Sequence, residues 1–172
     1  MDNLPIPISS IEFKDNVNIR FNDILSGFNK FNNFTLDGSI SENSEECLIN
    51  FISKVFQYNN NECYIDFFIN RLDESSRENL MNLLVDKEDK MLLKKIIDIN
   101  HVDIYYKIKD ISLIPFFTRL NTRELFFVTF YFTENPITIW GNYNLKFPCF
   151  VDDSDSFNYY YDSAKSFNLI AE

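Results

Sequence analysis

The residues best suited to binding or chemistry lie near the end of the chain, in the segment DDSDSFNYYYDS, residues 152–163. Its acids and tyrosines are Asp152, Asp153, Asp155, Asp162, Tyr159, Tyr160 and Tyr161. Tyrosines among carboxylates suit a basic protein surface, because the rings supply contact area and the acids meet lysine or arginine. We therefore predict a partner-binding surface here. The alternative is a solvated segment in which alternate tyrosines are buried.

The same segment also resembles a calcium-binding loop in its spaced acids. It lacks the central glycine, and it lacks the glutamate at the twelfth position that such a loop uses. We predict no metal site in this segment.

A second acidic cluster, SENSEE at residues 41–46, contains Glu42, Glu45 and Glu46. We include these three glutamates among the predicted partner-binding residues. The cluster also precedes a predicted helix, where negative charge stabilises the positive end of the helix dipole. A purely structural role is therefore the alternative.

Residues that could carry out catalysis are few and scattered. His101 is the single histidine, and the three cysteines are Cys47, Cys63 and Cys149, with no C-x-x-C pair. A serine or cysteine nucleophile usually needs a histidine base, and a phosphate-binding loop needs closely spaced glycines and a lysine. The three glycines are isolated. We predict a protein without cofactor or metal that is not an enzyme.

Length and charge limit the class of partner. The chain has 172 residues, with 16 basic and 26 acidic side chains and a net charge of −10. This charge opposes binding to nucleic acid or to an anionic membrane, and it favours a basic protein. The alternative is that the charge keeps a phenylalanine-rich chain soluble. We predict a single domain, 1–172, without a membrane span or export signal, in the reducing cytoplasm.

Hydrophobic spacing predicts the elements that position these residues. Residues 41–57 should form an amphipathic helix with Ser44 as N-cap, and residues 73–100 two helical pieces, the second capped by Asp86. A half-buried strand should follow His101, and a short helix should follow Asp110. Residues 63–72 fit a helix or a strand equally well. Beyond an arm in the first ten residues that is either irregular or an edge strand, we leave the organisation of 1–40 open.

The segment ELFFVTFYFTENPITIWGNYNLKF, residues 124–147, predicts a β-hairpin at the centre of a sheet. Its first strand is apolar on both faces, and Pro136 belongs to the turn because proline cannot lie inside a paired strand. We predict that Phe130, Phe132 and Trp140 are core residues, with exposure at a binding face as the alternative. Gly141 indicates a bulge or a close backbone approach.

The order of the predicted elements indicates an α+β fold. Helices come first and strands last, so we expect N-terminal helices packed on a mostly antiparallel C-terminal sheet, with the 124–147 hairpin at its centre.

The segment LIPFFTRLNTRELFFVTFYFTENPITIWGNYNLKFP, residues 113–148, resembles the immunity proteins that bacteria carry beside polymorphic or contact-dependent-inhibition toxins. Small size, acidity and the absence of catalytic motifs add to the resemblance, which covers about a fifth of the chain. It implies a cytoplasmic antitoxin that binds one cognate toxin, often a nuclease with a basic active-site cleft. No site residue follows from it.

We therefore expect an immunity protein that neutralises a toxin by stoichiometric occlusion. One alternative is a phage or mobile-element inhibitor that imitates nucleic-acid charge, which would require a continuous stripe of acids. Another is a carboxylate-dependent hydrolase, which would require aspartate or glutamate side chains converging in a cleft.

Overall fold

The computed structural model describes residues 3–39 and 42–171, which form an α+β fold around one antiparallel sheet. Seven α-helices and eight strands lie within these residues. None of these helices combines the length and the apolar composition that crossing a membrane requires. The predicted fold class and the antiparallel pairing are confirmed.

The sheet has the strand order β1-β4-β3-β5-β6-β7-β2-β8, and every neighbouring pair is antiparallel. The strands are β1 (Ile6–Ile8), β2 (Asn32–Asp37), β3 (Cys63–Asp66), β4 (Tyr105–Ile108), β5 (Thr129–Phe132), β6 (Ile137–Ile139), β7 (Lys146–Val151) and β8 (Ile170–Ala171). The predicted N-terminal edge strand is confirmed as β1. The rest of that arm includes residues 1 and 2, which lie outside the described residues.

The central hairpin consists of β5 and β6, with Phe130 opposite Ile139 in the register. All four residues of β5 are buried, as expected for a strand covered on both faces. The hairpin is shorter than the predicted 124–147. Residues 124–128 precede β5 as an irregular segment. At its last residue, the Asn121 side chain takes the place of a neighbouring strand. The Asn121 Nδ2 donates to the Val128 carbonyl at 2.9 Å, and the Val128 N–H donates to the Asn121 Oδ1 at 2.7 Å.

One face of the sheet carries the main hydrophobic core. The helices are α1 (Ser10–Asn16), α2 (Ile24–Lys30), α3 (Ser44–Tyr58), α4 (Glu74–Leu83), α5 (Lys87–Ile97), α6 (Ile114–Thr122) and α7 (Ser154–Ser166), with short 3-10 helices at Phe68–Arg71 and Ile111–Leu113. Helices α3 to α7 contribute buried apolar residues to this core, where they pack with Phe130 and Phe132 of β5. Each helix stabilises the sheet by removing its apolar stripe from water.

The opposite face is covered by α1, α2 and the segment between them. Side chains alternate along a strand, so Tyr64 of β3 and Tyr131 of β5 point to this face and form a smaller cluster with Phe13 and Val17. The Thr138 hydroxyl donates to the Ile19 carbonyl at 2.6 Å and attaches the connecting segment to β6. This second cover is thin, since both of its helices have seven residues.

Helices and strands alternate along the chain more than the predicted order, helices first and strands last, and helices lie near both ends of the chain. Strands β1 to β3 belong to the first half of the chain, and the tyrosine-rich segment forms the C-terminal helix α7. Hydrophobic patterns report only the local periodicity of a segment, whereas the strands of this sheet come from all parts of the chain. The open segment 63–72 divides into β3 and a 3-10 helix.

Two predicted boundaries also shift. The strand expected from His101 begins at Tyr105, and Val102 is 81% exposed. Ser44 is the first residue of α3, whose N-cap is Asn43. The short helix after Asp110 is confirmed, with the Asp110 carboxylate accepting from the Ser112 N–H at 2.8 Å.

Candidate functional site

The acidic C-terminal segment begins α7, and one of its acids serves the helix directly. Asp153 is the N-cap: its carboxylate accepts from the Ser156 N–H at 2.8 Å and from the Ser156 hydroxyl at 2.9 Å. The Ser156 hydrogen bonds lower the pKa of Asp153. Asp162 is exposed and lies 3.3 Å from the Lys165 ammonium one turn later. Asp152 and Asp155 are exposed, and neither forms an ion pair within the described part of the chain.

The three tyrosines of α7 have different environments. Tyr160 is buried; its hydroxyl donates to the Asn135 carbonyl at 2.6 Å, and burial raises its pKa. Tyr161 is half-buried and stacks on Phe157. Tyr159 is exposed and stacks on Tyr58 of α3 at 4.4 Å between ring centroids. Tyr159 is therefore the tyrosine most accessible to a partner.

A shallow groove of about 290 Å³ lies beside Tyr159. Its walls include Tyr58, Asn135 and Asp155. Of the residues predicted in this segment, Asp152, Asp155 and Tyr159 are exposed and take part in no cap or ion pair described above, and Tyr58, which was not predicted, stacks on Tyr159. We call these four residues the α7 patch.

The second acidic cluster is divided between the surface and an internal network. Glu42 and Glu46 are exposed, whereas Ser41 lies outside the described residues. The Glu45 carboxylate accepts from Arg123 at 2.8 and 3.0 Å and from the Thr122 hydroxyl at 2.7 Å. Burial opposes its ionisation, but the hydrogen bonds from Arg123 and Thr122 outweigh burial and lower the pKa of Glu45.

The network around Glu45 continues through the end of α6. Arg123 also donates to Asp86 at 2.7 Å, and Arg119 makes a two-point contact with the buried Asp89. These charge-assisted hydrogen bonds connect α3, α5 and α6. Glu45 is therefore already paired within the protein.

A larger concave feature lies elsewhere, on the thinly covered face of the sheet. It is a cavity of about 690 Å³ at the ends of β3, β5 and β6. Eight of the residues that line it are aromatic: Phe21, Phe68, Tyr105, Phe126, Phe127, Tyr131, Trp140 and Tyr143. Trp140 is half-buried and stacks on Phe21 at 5.3 Å. Trp140 is therefore not a fully buried core residue, whereas Phe130 and Phe132 are confirmed as core.

Asp66 is the acid inside this cavity. Its Oδ1 accepts from the Thr129 N–H at 2.8 Å, and its Oδ2 accepts from the Tyr131 hydroxyl at 2.9 Å. Burial removes water from the carboxylate and raises its pKa to about 6, although both hydrogen bonds favour the ionised form. Asp66 forms no ion pair with any residue that the structure describes.

Glu124 lines the same cavity from the segment before β5. The backbone of Glu124 has a positive φ of 52°, and the Oε1 atom of its side chain accepts from the Asn144 N–H at 2.7 Å. Gly141 lies close to this segment: a Cβ atom on Gly141 would come within 2.6 Å of the Val128 carbonyl oxygen. The predicted close backbone approach at Gly141 is confirmed.

A smaller cleft of about 330 Å³ adjoins the cavity. The two share Phe21, Asn22, Tyr105 and Tyr131. Lys14, Arg20 and Lys30 line this second cleft, so it is basic where the cavity is acidic.

The residues considered for catalysis are not brought together. Cys63 and Cys149 are fully buried, and burial raises the pKa of both thiols. His101 packs edge-on against Tyr106, and its Nε2 has no hydrogen-bond partner in the described part of the chain. Among the described residues, no group of three or more metal-ligating side chains converges.

Sequence analysis did not identify the Asp66 cavity. The available signal was the alternation in CYID, residues 63–66, which places Tyr64 and Asp66 on one face if the segment is a strand. Comparisons with protein-family models, curated proteins and solved structures found no match to this chain.

Proposed function

We propose that this protein is a cytoplasmic immunity protein that binds a basic protein toxin and blocks it by occupancy. The observation that carries the proposal is the α7 patch: Asp155 shares a groove with the exposed Tyr58–Tyr159 stack, and Asp155 and Asp152 are both exposed at the start of α7 without an ion pair among the described residues. Such a surface offers both counter-charges and rigid ring area to lysine and arginine side chains.

The whole-chain charge supports the same proposal. A net charge of −10 attracts a basic partner over a distance of about a Debye length and raises the rate of encounter. Glu42 and Glu46 are exposed and extend the acidic surface at the start of α3. The charge-mimic alternative is less well supported, because it requires a continuous row of free acids and Glu45, Asp86 and Asp89 are paired with arginines.

Co-expression with the toxin encoded by a neighbouring gene tests the proposal. An inhibitor that acts by occupancy should restore growth in proportion to its molar ratio to the toxin, with full protection near equivalence. Its affinity should be nanomolar or tighter, which corresponds to roughly −12 kcal/mol. Protection at strongly substoichiometric levels would show turnover and would overturn the proposal.

A second candidate function is carboxylate-dependent hydrolysis, and one observation favours it. Asp66 and Glu124 line the same cavity, and the pKa of Asp66 is raised to about 6. A carboxyl group with a pKa near neutrality in a cavity that a second carboxylate also lines could serve acid–base catalysis. In the co-expression experiment this function predicts substoichiometric protection that is lost in Asp66→Asn.

A further inference from the structure

The cavity around Asp66 has the size of a small-molecule site. Its volume of about 690 Å³ falls within the range of roughly 300–1,000 Å³ that ligand pockets occupy. It exists because α1 and α2 cover only part of the second sheet face, while the segments after α6 and β6 form its other walls.

The charge inside the cavity is negative and has no internal counter-charge. Asp66 and Glu124 line it, and no lysine, arginine or histidine stands among the described residues that do so. Each Asp66 oxygen accepts one hydrogen bond from the protein, and a carboxylate oxygen has room for a second. A half-buried carboxylate in this position is stabilised by any cation that enters.

The walls suit a cation that carries an apolar body. Trp140, Phe21 and Tyr105 line the same cavity as the carboxylate, and the faces of aromatic rings attract ammonium and guanidinium groups. The nearest basic side chains, Lys14, Arg20 and Lys30, line the adjoining cleft instead. The cavity is therefore complementary to an organic cation in both charge and surface.

We propose that this cavity binds a free small organic cation, an ammonium or guanidinium group on an apolar body, with Asp66 as its counter-ion. A single lysine or arginine side chain from a partner would fill only a fraction of the space, which favours a whole small molecule. The inference is independent of the proposed inhibition of a toxin, because it concerns a different surface from the α7 patch.

Trp140 provides a direct measurement, since it is the one tryptophan of the chain and lines the cavity. The full chain is titrated with 2-phenylethylammonium, with the uncharged 2-phenylethanol and with the anionic phenylacetate, and tryptophan fluorescence is recorded. The ammonium should bind about tenfold or more tightly than the alcohol, because it gains a charge-assisted hydrogen bond. The anion should not bind measurably. Equal binding of ammonium and alcohol would overturn the proposal without any variant being needed.

Asp66→Asn identifies the counter-ion. Asparagine has the same shape and can still accept from the Thr129 N–H, so the fold should persist; circular dichroism checks this. The variant should lose about tenfold in ammonium affinity and leave alcohol binding unchanged. Glu74→Gln, an exposed acid on α4, changes net charge equally and should have no effect. Full ammonium affinity in a folded Asp66→Asn variant would overturn the assignment.

A last titration distinguishes a free small cation from a cationic side chain of a partner protein. N-acetylarginine amide represents a side chain presented by a partner protein. If it binds and 2-phenylethylammonium does not, the occupant is a partner's side chain and the proposal of a free small molecule is overturned. If the ammonium binds more tightly, the proposal is supported.

Discussion

Asp66 is held in place by strand β5, which follows it in the chain by more than sixty residues. The Thr129 N–H and the Tyr131 hydroxyl stabilise its ionised form, while burial destabilises it, and burial has the larger effect on its pKa. Tyr105 and Tyr131 face it as neutral phenols, and Arg20 lies beyond Tyr105 in the adjoining cleft. Ionisation of Asp66 therefore costs the folded state free energy.

The free energy of unfolding should consequently depend on pH through Asp66. Its pKa is about 6 in the folded state and near 3.8 in the unfolded chain, so the folded state holds more protons between these values. Stability should fall as pH rises from 4 to 7, and Asp66→Asn should escape this loss. The wild type should lose roughly 2–3 kcal/mol relative to Asp66→Asn over this range. Urea unfolding of both proteins measures the difference, and a difference that stays constant with pH would contradict the prediction.

Gly141 offers a second test at the scale of one residue. A Cβ at this position would lie 2.3 Å from Asn121 Oδ1 and 2.6 Å from the Val128 carbonyl oxygen, which is backbone and cannot rotate away. Gly141→Ala should therefore destabilise the fold by about 1–3 kcal/mol in thermal or urea unfolding.

The matched control is Gly38→Ala. Its Cβ would meet side-chain atoms of Leu48, Leu145 and Ser44 at 3.2 Å or more, and side chains can adjust. A smaller loss of stability is expected there. Equal losses in the two variants would contradict the assignment of Gly141 to a close backbone approach.

Among the elements, the β5–β6 hairpin is the one on which the sheet depends most, because it occupies two central positions. Phe130 is fully buried and pairs with Ile139. Phe130→Ala should cost on the order of 3–5 kcal/mol of unfolding free energy, since it removes a large side chain from a packed core. Phe68→Ala, at a 44% exposed phenylalanine, is the control and should cost far less. Wild-type stability in Phe130→Ala would refute the packing of this strand.

Local patterns explain which elements the sequence predicts. Helix α3 and the hairpin have strong periodicity and clear turn or cap residues, so both are foreseen. Seven of the ten residues 63–72 are apolar, so periodicity does not decide their structure, and pairing with β4 and β5 makes Cys63–Asp66 a strand. The strand order and the cover by α1 and α2 arise from contacts between distant segments, which no local pattern contains.

The candidate sites differ for the same reason. Three residues of the α7 patch, Asp152, Asp155 and Tyr159, are close in sequence, and the exposed acids are visible as a cluster; Tyr58 of α3 joins them only in the fold. The burial of Tyr160 is not visible in the sequence, because the environment of Tyr160 depends on the distant residues Asn59 and Asn135. The Asp66 cavity is lined by residues from several strands and connecting segments that are distant in sequence, so the position of the Asp66 carboxylate in a cavity cannot be predicted from a local pattern.

For the molecule as a whole, charge controls encounter with a partner. If the α7 patch steers a basic protein, the double variant Asp152→Asn, Asp155→Asn should associate severalfold more slowly at low salt and show a weaker salt dependence. Asp153 is left intact because it caps α7. Stopped-flow association with the partner measures the rate.

The control is Glu74→Gln with Glu78→Gln on α4, where both side chains are exposed. Each double variant removes two negative charges and changes the net charge from −10 to −8. If only net charge matters, association should slow equally in both double variants. A larger decrease in the association rate of the α7 variant would place the interface at the α7 patch. Equal rates would place the interface elsewhere, and Glu42 and Glu46 would be the next residues to test.

The pairing of β2 affects how the chain folds during synthesis. Asn32 pairs with Val151, and within the described residues β2 has no other strand partners than β7 and β8. At about 5–20 residues per second, a ribosome needs roughly 6–24 s between these two positions. Phe34 and Leu36, both buried in the folded protein, have no strand to pair with during that interval. A nascent chain therefore displays an unpaired strand with two exposed apolar side chains until β7 emerges, and a chaperone that binds such side chains would protect it during this interval.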